Sequence, residues 1–131
     1  MTAREVLGGI KGRLTKATPG PWKIDKEDPT PLVSIVSIAE DQPWGWVEVA
    51  RSLDTDAEFI AAAPVDVARL TRAVEAVLAV HEPVDAVMNP GRHERIVKVC
   101  TGCGTDDGNW QRWPCPTVAG VEAALNPKEG R

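Results

Sequence analysis

No tyrosine occurs in this chain of 131 residues, phenylalanine occurs once and histidine twice, so its aromatic surface rests on five tryptophans. No apolar run approaches the roughly 20 residues needed to span a bilayer, and the N-terminus lacks the apolar centre of a signal peptide. Both absences point to a cytoplasmic protein. Basic charge is not in excess: the formal net charge of −4 argues against a protein whose main business is gripping a phosphate backbone, because that affinity comes from clustered Lys and Arg. Catalytic signatures are missing as well. There is no His-Glu-x-x-His helix, Gly8-Gly9-Ile10-Lys11-Gly12 lacks phosphate-loop spacing, and Ser34, Ser37 and Ser52 have no nucleophile-elbow context.

Cysteine is scarce, and its placement is the most informative feature present. Cys100, Cys103 and Cys115 are the entire inventory. An odd number, two of them with only two residues between, fits a reducing compartment and a metal better than a disulfide framework. Cys100-Thr-Gly-Cys103-Gly followed by Trp113-Pro-Cys115-Pro provides three of the four N/S donors of a tetrahedral Zn²⁺ site. Gly104 is expected to turn the backbone with positive φ after the second cysteine. The order of strand, knuckle, polar hairpin over 105–109 and cysteine at a helix start resembles a treble-clef zinc module, but the helix supplies only Cys115. The fourth donor therefore comes from elsewhere: His81 at the end of a long helix, His93 before a strand, or, more weakly, Asp106 or Asp107. His81 is favoured because it ties the module to the main helix. Three unbound thiols, or a redox pair, are the competing readings. The redox reading is disfavoured because no helix is expected directly after Cys100.

The remaining pattern predicts an α+β fold. Val6, Leu7, Ile10 and Leu14 form an apolar stripe on a helix over 3–15, and Ala17-Thr18-Pro19-Gly20-Pro21 ends it. Residues 22–52 predict three antiparallel strands, with Leu32–Ile38 the clearest and Trp44–Val49 alternating out of perfect phase. Asp54-Thr55-Asp56 opens a helix with Phe59 and Ile60 in its apolar part. Pro64 is expected to break it, and 66–81 to continue with Val67, Leu70, Val74, Val77 and Leu78 on one side. Residues 82–94 read as a loop, Arg95–Val99 as a strand, and Thr117–Leu125 as a final helix. The expected whole is one domain over 1–131: a three-stranded meander packed on a long kinked helix, with a zinc module integrated over 95–126.

Trp44, Trp46 and Trp110 admit two readings, core filling or an exposed partner surface. Arg92, Arg95, Lys98 and Arg112 are the candidate phosphate contacts of a nucleic-acid-binding alternative, offset by Glu94, Asp106 and Asp107. A zinc hydrolase is a third reading, which the deaminase pattern does not support because His81-Glu82 and His93-Glu94 have the wrong spacing.

Ala17-Thr-Pro-Gly-Pro-Trp22 and Asp56-Ala-Glu-Phe-Ile-Ala-Ala-Ala63 resemble the recurrent marks of small phage proteins of the Ead-like type. His81-Glu-Pro with Cys100-x-x-Cys103 and Trp113-Pro-Cys115-Pro-Thr-Val118 is similar to a C-terminal element of short proteins from actinobacteria and their phages. The resemblance implies an accessory phage product acting in the host cytoplasm, and within it the histidine before a proline, His81, as the partner of the three cysteines. It implies no activity. The expectation is a non-enzymatic protein that binds a host or phage protein and carries a structural zinc.

Overall fold

The computed structural model describes residues 1–26, 31–104 and 110–128. The chain forms two compact units, one of residues 9–71 and one of residues 1–8 with 72–131. The 95–126 segment lies in the second. In chain order the elements are α1 (Ala3–Lys16), β1 (Trp22–Asp25), β2 (Leu32–Ile38), β3 (Trp46–Leu53), α2 (Asp54–Val80), β4 (Pro83–Met88), β5 (Arg95–Cys100), a 3₁₀ turn (Thr101–Cys103) and α3 (Pro116–Leu125).

Within residues 9–71 the sheet is the antiparallel meander β1-β2-β3. The Val- and Ile-rich β2 is its centre strand, as β-branched side chains favour. Register passes from Ile35↔Ala50 to Val36↔Glu48, leaving Val49 as the extra residue of a bulge. That bulge explains the broken alternation of the third strand: Val49 and Ala50 are consecutive, yet both pack on the core. The core itself is Val33, Ile35 and Ala57, flanked by Trp22, Ile24, Ile60 and Ala61. Ala57, Ile60 and Ala61 stand at i, i+3 and i+4, so the first turns of α2 present one face to the sheet. Full burial of Ile35 stabilises the unit by about 1.5–3 kcal/mol.

Several expectations are corrected along α2. It is one helix of 27 residues with Pro64 inside it, not two segments separated by a break. Phe59 points away from the core and is 80% exposed, because the inward row passes through its neighbours Ala57 and Ile60. Further along, Leu70 is 67% exposed and Val77 is exposed too. The inward row runs instead through Val67, Thr71, Val74 and Leu78. Thr71 can lie there because its Oγ1 donates to the carbonyl of Val67 at 2.7 Å, leaving no unsatisfied hydroxyl. A hydropathy count passes over such a threonine and selects Leu70 in its place.

In the second unit, α1 opens with a reciprocal capping box: Thr2 N–H donates to Glu5 Oε2 at 2.7 Å, and Glu5 N–H donates to Thr2 Oγ1 at 3.2 Å. Ala3 and Leu7 are buried, and Ala3 N–H donates to Glu122 Oε1 on α3. The expected loop over 82–94 is half strand: β4 pairs antiparallel with β5 from Pro83↔Cys100 to Met88↔Arg95. Proline at the first position of a strand removes no internal ladder bond, so Pro83 starts β4 rather than forbidding it. The turn after β4 uses Asn89 (φ 54°), Gly91 (φ 80°) and His93 (φ 45°). Among the described residues, no helix is long and apolar enough to cross a membrane.

Candidate metal centre

Four segments of the second unit converge on one point. His81 lies just past the end of α2, where its N–H donates to Leu78 O at 3.2 Å. Cys100 ends β5 and Cys103 ends the 3₁₀ turn. Cys115 is the N-cap residue of α3, followed by Pro116 in the first turn, where its missing N–H has no helical partner to lose. The hydrogen bonds Cys100 N–H to Gln111 O, Trp113 N–H to Lys98 O and Thr101 N–H to Glu82 O, each 2.9 Å, fix these segments beside β5. Residues 111–113 thus run antiparallel to β5, meeting it at Val99↔Arg112, and return the chain to Cys115.

The donor atoms are close and symmetric. His81 Nδ1 lies 3.3 Å from Cys100 Sγ, 3.4 Å from Cys103 Sγ and 3.6 Å from Cys115 Sγ. All four ligand atoms lie within 4.8 Å of one another, so His81, Cys100, Cys103 and Cys115 can hold a metal ion. A tetrahedral ion with metal–sulfur bonds of about 2.3 Å and a metal–nitrogen bond of about 2.0–2.1 Å sets the nitrogen–sulfur edge at about 3.6 Å. Three such edges from one nitrogen are what a His-Cys₃ tetrahedron requires. Cys100 and Cys115 are fully buried, and all three cysteines are free thiols.

Electrostatics favours a cation at this point. Burial pushes the Cys103 thiol up to about 11, with the neighbouring sulfurs of Cys100 and Cys115 adding to the rise. At Cys115 burial is again the largest single influence and acts upward. It is outweighed by the N–H groups of Val118 and Thr117 at the start of α3 and by the other two thiols, and the net shift is downward. These N–H groups act on the sulfur through their dipoles, without completing a side-chain cap hydrogen bond. Three sulfurs gathered this closely ionise together only beside positive charge.

Two glycines shape the site, and Gly104 does so for another reason than the one expected. Gly104 has φ −66°, not a positive value. A Cβ there would run into the ring of Trp110, which would have to shift. Gly102, which the sequence reading did not single out as a determinant, lies flat against the end of α2: a Cβ would overlap the carbonyl oxygen of Val80 and stand 3.0 Å from His81 Nδ1. Its spacing inside Cys-x-Gly-Cys was the available signal. The helical turn directly after Cys100 was also not expected, although it is a single 3₁₀ turn.

His93 is exposed in the β4–β5 turn and does not belong to the donor cluster. Asp106, Asp107 and the hairpin expected over 105–109 lie outside the described residues. Trp44, Trp46 and Trp110 are 61%, 39% and 45% exposed, so the core-filling reading fails for these three. Trp44 precedes β3, which begins at Trp46. Of the basic candidates, Lys98 is paired with Asp85 at 2.9 Å, while Arg92, Arg95 and Arg112 are exposed.

The chain matches no known family model, no curated protein and no solved structure.

Proposed function

We propose that His81, Cys100, Cys103 and Cys115 bind one zinc ion as a structural site, in a non-enzymatic accessory protein that acts by binding another protein. The observation that carries the zinc reading is the near-equal spacing of His81 Nδ1 from three sulfurs. Thiolates and imidazole together select zinc over the hard cations, which prefer oxygen. Four protein donors complete a tetrahedron, and a completed tetrahedron has no position for a reactive water, which supports a structural role. With Nδ1 on the metal, the His81 proton resides on Nε2. A treble-clef-like description is supported by the order of β5, the Cys-x-x-Cys turn and Cys115 at the N-cap of α3, with His81 replacing the second helix ligand.

The protein-binding reading is supported by exposed aromatic surface. In residues 9–71, Trp46 pairs across the sheet with Ile38, also exposed, and Trp44 stands in the preceding turn. Backbone bonds from Ala39 N–H to Gly45 O and from Gly45 N–H to Gln42 O hold that turn. Rigid tryptophans are typical anchors of protein interfaces. Consistent with the Ead-like resemblance, the partner is a host or phage protein met in the bacterial cytoplasm. The test is affinity capture from bacterial lysate with wild type, Trp44→Ala and Trp46→Ala. A reproducible partner lost in both variants is expected. A partner retained by both, or none at all, contradicts the reading.

A further inference from the structure

Residues 9–71 also contain a groove of about 440 Å³ between α1 and α2, which shares no residue with the metal centre. Its walls are apolar: Ile10 and Leu14 from α1, Pro64 and Val67 from α2, and Trp22. Each of these is only half-buried, so the wall carbons are not covered by the unit's own packing. Trp22 Nε1 donates to Thr18 O at 3.0 Å, which commits the indole N–H and leaves the ring to act as an apolar surface. The single charged wall residue is Arg13. Among the described residues Arg13 has no carboxylate partner, and the position one turn before it is Gly9, which carries no side chain to neutralise it.

From this combination we infer that the groove is a binding site for a small apolar monoanion, a medium-chain or aromatic carboxylate or sulfonate, with its acid group on Arg13 and its body against Trp22, Leu14 and Val67. Small-molecule clefts of about 300–1,000 Å³ are lined in this way, mainly by apolar and aromatic side chains with one or two polar groups that set orientation. The volume corresponds to about fifteen water molecules at about 30 Å³ each, the size of a ten- to twenty-atom ligand. A docked partner helix fits less well: the α2 wall spans only Ala63 to Val67, about one turn. The guanidinium supplies charge complementarity that an apolar protein segment does not need.

The probe is 8-anilinonaphthalene-1-sulfonate, titrated by fluorescence into the full-length protein as purified, with N-phenyl-1-naphthylamine as the uncharged ring equivalent and decanoate as competitor. One saturable site is expected, at least about tenfold tighter for the sulfonate than for the neutral amine and emptied by decanoate. Arg13→Gln is expected to bring the sulfonate to within about twofold of the neutral probe. Ala17→Trp, at an exposed wall position, is expected to weaken both by about tenfold or more. Arg13 and Ala17 are both exposed, so neither change removes buried packing. Absence of saturable binding, failure of decanoate to compete, an undiminished preference in Arg13→Gln or unchanged binding in Ala17→Trp would each overturn the inference.

Discussion

Between the two units, the deepest side chains differ in kind. Residues 9–71 are centred on Val33, Ile35 and Ala57, packed by half-buried Trp22, Ile24 and Ile60. In the unit of residues 1–8 and 72–131, the largest fully buried side chains are Val99, Cys100, Cys115 and Val118: two donors, the residue before one and a residue of the turn after the other. Units of about 60–70 residues bury too small a fraction of their surface to be secure on apolar packing alone. The first meets this with a helix laid on a meander. In the second, donor atoms able to hold a metal ion stand among the buried carbons, so on the zinc reading proposed above its stability is conditional on an ion.

The largest expected effect breaks this comparison at its metal side. Cys100→Ser is predicted to abolish stoichiometric metal and to expose the second unit selectively. Hydrogen exchange is then fast at the Cys100 and Trp113 amides that bond to Gln111 O and Lys98 O, while the β2 amides remain protected. Equal loss in both units would show that the ion supports the whole chain alike. Ile35→Ala is the converse change. It is predicted to lower stability by about 2–5 kcal/mol in denaturant unfolding, with metal content unchanged. Loss of the ion in that variant would contradict the division.

Smaller changes sharpen it. Gly102→Ala drives a Cβ into the Val80 carbonyl next to His81, and is predicted to weaken metal binding by about 10–100-fold in a chelator competition, without removing any ligand. An unchanged affinity would show that the knuckle can move away from α2. The smallest effect concerns protons. A Cys103 thiol near 11 in the metal-free cluster is almost wholly protonated at neutral pH, and metal binding must expel its proton. Apparent affinity therefore rises with pH across about 7–9 and falls on acidification. Calorimetry in two buffers of different ionisation enthalpy should find at least one proton released per ion; none released would contradict the role given to Cys103.

What could be read from residue order was the part dictated by strong local chemistry. The Val/Ile run of β2, the acidic opening of α2 at Asp54 and the thiol cluster all declare themselves within short windows, whereas His81 stands 19 residues before Cys100 and is one of several candidate donors. What could not be read depended on tertiary context. Pro64 is carried inside a helix whose preceding turns pack on the sheet through Ala57, Ile60 and Ala61, and Thr71 is buried through a bond to its own helix. Val49 occupies a bulge that only pairing with β2 defines. Gly104 needs no special dihedral; its constraint is the ring of Trp110, six residues away, which no periodicity reveals.

X-ray absorption at the zinc edge, with metal quantified on the same purified sample, tests the central claim most directly. The account predicts one zinc per chain, with three sulfurs at about 2.3 Å and one nitrogen at about 2.0–2.1 Å, and loss of the nitrogen shell in His81→Ala but not in His93→Ala. Protein without stoichiometric zinc, or a first shell with fewer than three sulfurs, would contradict it.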